Sequence, residues 1–175
     1  YIPYEDRAAL RLVLGNTKRG FVEWVASEFD AFSASIREET ESGENQNTTL
    51  YRVGITHPEF ADMREKWYPD GDKQFPESVT DPVMALRLWY AGDGTLCWDK
   101  SRNGMTSYAM IRSKIHPGDL LDELPQNPWY NEKNNIVRWS SSITRDLFKS
   151  LGDPIPGFEY KWLWDDYEQY RRESE

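Results

Sequence analysis

Apolar and polar positions follow two periods along this chain, close to two and close to 3.6, and the switches between them mark its elements. Ala8 to Gly15 (AALRLVLG) is short, mostly apolar and β-compatible, and runs into the turn-forming Asn16-Thr17-Lys18-Arg19-Gly20. Phe21, Val22, Trp24, Val25, Phe29 and Phe32 then recur at three- and four-residue steps. FVEWVASEFDAF therefore predicts an amphipathic helix with Glu23, Ser27, Glu28 and Asp30 outward. Ser33 to Glu41 and Thr49 to Ile55 read as strands joined by the polar turn Ser42 to Thr48, a hairpin. Thr56-His57-Pro58-Glu59 opens a helix with an N-cap residue, a proline and an acid, and Pro69-Asp70-Gly71-Asp72 stops it after Tyr68.

The second half follows a similar plan. Thr80-Asp81-Pro82 opens a helix in which Val83, Met84, Leu86, Leu88, Trp89 and Tyr90 make more than one side apolar, which predicts burial against another helix before Gly92-Asp93-Gly94. Thr95 to Lys100 and Ser107 to Ile115 read as strands around Ser101-Arg102-Asn103-Gly104, whose Asn-Gly pair signals a hairpin. His116-Pro117 opens a short helix through Leu124. Ile136 to Trp139 is a strand and Ser142 to Leu151 a helix, followed by the loop Gly152 to Gly157 and the stretch Phe158 to Trp162. The remaining DDYEQYRRESE is a charged tail, helical or frayed.

Two strand-then-helix segments look alike, one around Leu50-Tyr51-Arg52-Val53 and one around Ile136-Val137-Arg138-Trp139. Their arginines are 86 positions apart (138 − 52), about half the chain, so an internal duplication is expected. A helix equivalent to 82–92 is then expected near or before Tyr1, and none is visible in the sequence. The resulting organisation is a first half over 1–72, a connector over 73–81, a second half over 82–164 and a tail over 165–175.

Composition narrows the chemistry. The net charge of −9 excludes a simple basic nucleic-acid glove. One cysteine, Cys97, makes neither an internal disulfide nor a cysteine-based zinc site, and His57 and His116 lack ligand spacing. No run approaches a membrane helix, and Tyr1-Ile2-Pro3-Tyr4 lacks signal-peptide order, so a cytoplasmic protein is expected. A core is still affordable, because 14% of the residues are aromatic, with 8 Trp and 10 Tyr. A start on Tyr rather than Met suggests a piece of something longer.

The most informative stretch is Lys73-Gln74-Phe75-Pro76 followed by Ala85 to Leu96, which places one carboxylate, Asp93, at the end of a buried helix. Here the sequence resembles the LAGLIDADG homing endonucleases, whose motif forms a central helix with a metal-binding aspartate one residue before its end. Leu86 to Gly94 match that motif, with Asp93 at the metal position. Lys73-Gln74-Phe75-Pro76 looks like the Lys-x-Ile-Pro block that precedes the helix, and Tyr160-Lys161 resembles the Tyr-Lys that closes many members after a Pro-containing loop, here with Pro154 and Pro156. The chain departs from the pattern at Ala91, often acidic in the family, and at Arg87 and Trp89, which replace small residues.

The resemblance implies an α/β (α+β) fold of two pseudo-symmetric αββαββα copies with antiparallel saddle sheets, the first motif helix missing. It implies a site-specific endonuclease acting on double-stranded DNA with Mg2+ or another divalent cation. Asp93 is expected to bind metal and to be catalytic with Lys73 and Lys161. The second carboxylate would come from a missing N-terminal segment or a second subunit, with Asp6 a remote candidate. Arg37, Arg52, Arg112, Lys114 and Arg138 alternate with apolar residues on strands and are expected to contact DNA. Any half-exposed sheet alternates in this way, so the arginines gain that meaning only beside the motif. Trp67, Tyr68, Trp89 and Tyr90 read as packing.

The acidic charge opposes binding to a polyanion. An origin in a high-salt cytoplasm reconciles the two and fits the scarcity of lysine, 8 Lys against 13 Arg. Two other classes remain: a DNA-binding regulator or RNA-splicing maturase that lost cleavage, and a pure interaction module whose helix 82–92 is a dimer seam. An intein is a further possible host, but the end Arg172-Glu173-Ser174-Glu175 lacks the His-Asn of a protein-splice junction, so no protein-splicing activity is expected of this chain.

Overall fold

A computed structural model describes residues 8–15, 18–30, 34–42, 47–101 and 104–162. Asp6, Phe32, Asn103 and the charged tail lie outside them. The chain divides into two compact units, Tyr1–Lys73 and Gln74–Glu175. Among the described residues no helix is long and apolar enough to cross a membrane.

Among its described residues unit 1 has five elements: β1 (Ala8–Gly15), α1 (Arg19–Glu28), β2 (Ser35–Ser42), β3 (Asn47–His57) and α2 (Glu59–Trp67). The strands form an antiparallel sheet in the order β1-β3-β2. The strand expected over Ala8–Gly15 is formed, and its side chains alternate between two faces. Leu10, Leu12 and Leu14 join Tyr51, Val53 and Ile55 on one face, where the Val22–Val25 side of α1 covers them. The helix after β3 starts differently from the sequence reading. Thr56 stays in the strand, Pro58 is the N-cap residue, and the amide of Glu59 donates to His57 Nδ1 at 3.3 Å. An imidazole thus does the work assigned to a hydroxyl.

Among its described residues unit 2 has seven helices and strands: α3 (Pro82–Asp93), β4 (Gly94–Ser101), β5 (Gly104–Arg112), α4 (Leu120–Glu123), β6 (Trp129–Asn131), β7 (Ile136–Arg138) and α5 (Ser141–Leu151), with a 3-10 turn at Glu159–Lys161. This is an αββαββα order, and its antiparallel sheet runs β4-β5-β7-β6. Asp81 caps α3 by accepting from the Met84 amide at 2.9 Å, with Pro82 in the first turn, as its sequence predicts. Ser101 pairs with Gly104, so Gly104 is the first residue of the returning strand and not a turn residue. The short β6 was not foreseen. It is joined to β7 through a 3-10 turn at Glu132–Asn134 and the left-handed Asn135 (φ 49°).

The expected burial of α3 against another helix holds on one side, where it packs on α5, and not on the others. Leu86, Tyr90 and Ala91 are buried, but Val83, Met84 and Leu88 are 39%, 36% and 39% exposed. One side packs on α5 and β5, while the stripe Met84-Leu88-Gly92 faces outward. The core beneath is built from Ala109, Ile111, Val137, Trp139, Leu147, Phe148 and Ile155. The fully buried Thr144 ties α5 to the sheet. Its hydroxyl accepts from the Ala109 amide at 3.0 Å and reaches the Ser140 carbonyl at 2.9 Å.

Thr144→Val keeps the shape and strands the Ala109 amide without its acceptor, which should cost about 2 kcal/mol. Ser142→Ala on the exposed side should be near neutral. Chemical denaturation of the two variants checks the difference.

Candidate functional site at the end of the motif helix

The last turn of α3 is where the sequence placed its chemistry. Asp93 ends the helix and is exposed, with the fully buried Tyr90 one turn before it. The Gly94 amide returns to the Tyr90 carbonyl, and a Cβ at Gly94 would overlap that carbonyl and lie 2.7 Å from Tyr90 Cε2. Only glycine lets the chain pass from helix into β4 over this ring.

Lys161 closes the same turn from another part of the chain. Its side chain is buried, and its ammonium donates to the carbonyls of Ala91 at 2.6 Å and Gly92 at 2.9 Å. These carbonyls have no partner inside the helix and carry the negative end of its dipole, so a cation is the fitting cap. The contact is reciprocated: the Tyr90 hydroxyl donates to the Lys161 carbonyl at 3.2 Å. Burial pushes that hydroxyl above the ordinary phenol range, so it remains a neutral donor. The rings of Phe148 and Trp162 stand 5.5 and 5.1 Å from Tyr90 and wall the turn off.

The Lys-Gln-Phe-Pro block meets α3 through its aromatic residue, with the Phe75 ring 4.8 Å from that of Trp89. Lys73 is exposed and belongs to unit 1. Arg87, in place of a small residue, hydrogen-bonds the Asp153 carbonyl and so holds the loop that leads to Lys161.

The sheets carry the remaining residues. Directly opposed residues of an antiparallel ladder share a face. Arg37 lies opposite Arg52, and Arg52 opposite Val13, on the face of unit 1 away from its core. Glu39 holds the Arg52 guanidinium at 2.7 Å and eases the repulsion between the two cations. Arg11, opposite Gly54, shares this face and was not anticipated, although its place between Leu10 and Leu12 carried the signal. In unit 2, Arg138 lies opposite both Met110 and Trp129 on the face away from the core. Its guanidinium sits 3.7 Å from the centre of the Tyr108 ring, and Trp129 is 58% exposed. Arg112 is exposed at the end of β5, and Lys114 is exposed two residues beyond it. The aromatic members of this surface, Tyr108 and Trp129, were also missed.

Comparison with known proteins now places the chain. It is 30% identical over 98 residues to the uncharacterized protein MJ1098 of Methanocaldococcus jannaschii, a match covering 53% of this chain and 38% of that protein. The chain therefore spans well under half the length of this relative. The sequence model of the LAGLIDADG DNA endonuclease family matches residues 5–116, from the start of the first sheet through the motif helix and the hairpin that follows it. With the αββαββα order of unit 2 and antiparallel sheets in both units, this chain belongs to the LAGLIDADG DNA endonuclease family.

Proposed function

We propose that this protein acts as a site-specific endonuclease on double-stranded DNA, with a divalent cation such as Mg2+ held in part by Asp93. The observation that carries this reading is the exposed Asp93 carboxylate at the end of a helix whose last turn is locked by Lys161, Tyr90 and Gly94. A carboxylate on a rigid terminus keeps its position as charge changes beside it.

The donor set fits a divalent cation in kind, since a carboxylate is a hard oxygen ligand suited to Mg2+. Among the described residues no group of three His, Cys, Asp or Glu side chains is clustered to hold a metal ion. Unit 2 thus presents one half of a cation site, and a second carboxylate comes from another segment or subunit. A bound divalent ion supplies a more acidic water and charge stabilisation at a phosphate. Lys161 serves as a positioning residue, because its ammonium holds the carbonyls of Ala91 and Gly92 just before Asp93. Lys73, exposed on its loop, is assigned to phosphate charge or to placing the attacking water.

Arg11, Arg37 and Arg52 in one unit, and Arg112, Lys114 and Arg138 in the other, are assigned to DNA contact, with Tyr108 and Trp129 beside Arg138. Local cations on the sheets answer the net charge of −9, and a high-salt working medium belongs to the same reading. A second reading, a DNA-binding regulator or maturase without cleavage, is favoured by the single carboxylate at the motif.

Asp93→Asn should abolish Mg2+-dependent nicking of a DNA library while binding to DNA persists; cleavage by the variant at the native rate would remove Asp93 from the site. Lys161→Met should lower stability by about 2 kcal/mol in denaturant unfolding, because two helix-end carbonyls lose a charged donor. Arg112→Ala and Arg138→Ala should each weaken DNA binding by about 1–2 kcal/mol in fluorescence titrations. Each should also lower the salt slope by about one if its contact is to phosphate.

A further inference from the structure

One row of side chains crosses all four strands of the unit 2 sheet on its outward face. Thr95 of β4 lies opposite Met110 of β5, Met110 opposite Arg138 of β7, and Arg138 opposite Trp129 of β6. Residues two apart on a strand share a face, which adds Cys97, Tyr108 and Ile136. The outward face of an antiparallel sheet is ordinarily polar. Here Met110, Tyr108 and Ile136 are half-buried beside one another, and Trp129 is 58% exposed. Adjoining apolar groups on an outward face mark a surface that meets a partner.

Unit 1 presents a different composition on the same side of its sheet. Its row is Val13-Arg52-Arg37, with Arg11 two residues before Val13 and Glu39 bound to Arg52. The two surfaces suit different base pairs. Guanidinium groups pair with the major-groove edge of guanine and carboxylates with that of cytosine. Apolar side chains find one apolar feature in that groove, the C5-methyl group of thymine.

We propose that the two units read DNA of different base composition, and that the sheet of unit 2 recognises thymine by its methyl group through Met110 and Trp129. This rests on the reading of the protein as a DNA endonuclease. Charge selects DNA as the occupant of this surface, because Arg138 stands between Met110 and Trp129 and Arg112 lies opposite Ile136. An apolar protein partner has no use for two cations within its footprint, whereas a polyanion does. The Tyr108 ring, 3.7 Å from the Arg138 guanidinium, keeps that cation in the row and so sets the place of its two apolar neighbours.

The test is equilibrium binding to duplexes selected from a random DNA library, with each thymine then replaced in turn by uracil. That change removes the methyl group and keeps every hydrogen-bonding group of the base. At one or more positions it should weaken binding about fourfold, the worth of one buried methyl group. Each such loss should vanish in either Met110→Ser or Trp129→Ser, and it should persist in Met110→Leu and in Arg37→Ala. Trp129 is exposed, so its substitution leaves the fold intact, and an unchanged melting temperature checks this. Duplex binding with no preference between thymine and uracil overturns the inference and leaves the endonuclease reading standing. Equal competition by single-stranded DNA overturns it in favour of base stacking on Trp129 and Tyr108. Absence of binding to any duplex, at low and high salt alike, overturns the endonuclease reading and this inference together.

Discussion

The ammonium of Lys161 on the carbonyls of Ala91 and Gly92 is the contact on which the arrangement of unit 2 depends. Burying a lysine costs free energy unless acceptors replace its water, and the open end of a helix supplies two carbonyls together with the negative end of a dipole. The exchange is mutual, since those carbonyls also need donors. The Tyr90 hydroxyl returns a hydrogen bond to the Lys161 backbone, so helix end and distant turn hold each other. Asp93 is left exposed on a fixed terminus, and β4 starts in a fixed direction because Gly94 clears the Tyr90 ring.

The two units build one plan with different contents. In unit 2 the motif helix and β4 complete a seven-element order, and the core closes over Thr144, Leu147 and Phe148. In unit 1 the same strand order stands over α1, while α2 shows its apolar stripe to a cleft. A helix with no buried residue gains little from packing.

Charge works at two scales here. The whole chain is acidic, yet the outward faces of the sheets collect arginines at paired or diagonal positions. Glu39 moderates one pair and the Tyr108 ring supports Arg138, which holds the guanidinium groups in place on the surface. A polyanion responds to such local fields at short range, where screening by salt is weakest.

Elements whose signals are local were legible in the chain. Asp81-Pro82 fixes the start of α3, the leucines of β1 fix its inward face, and the motif with its Lys-Gln-Phe-Pro block identifies the family. The sequence did not determine β6, whose three residues gain their partner only when β7 lies beside them. Nor did it determine that His57 caps α2, that only one side of α3 is buried, or that Lys161 closes the motif helix. Those features join residues distant in the chain or depend on which face a neighbour covers. Periodicity reports that a face is apolar, whereas what lies against it follows from how distant segments pack.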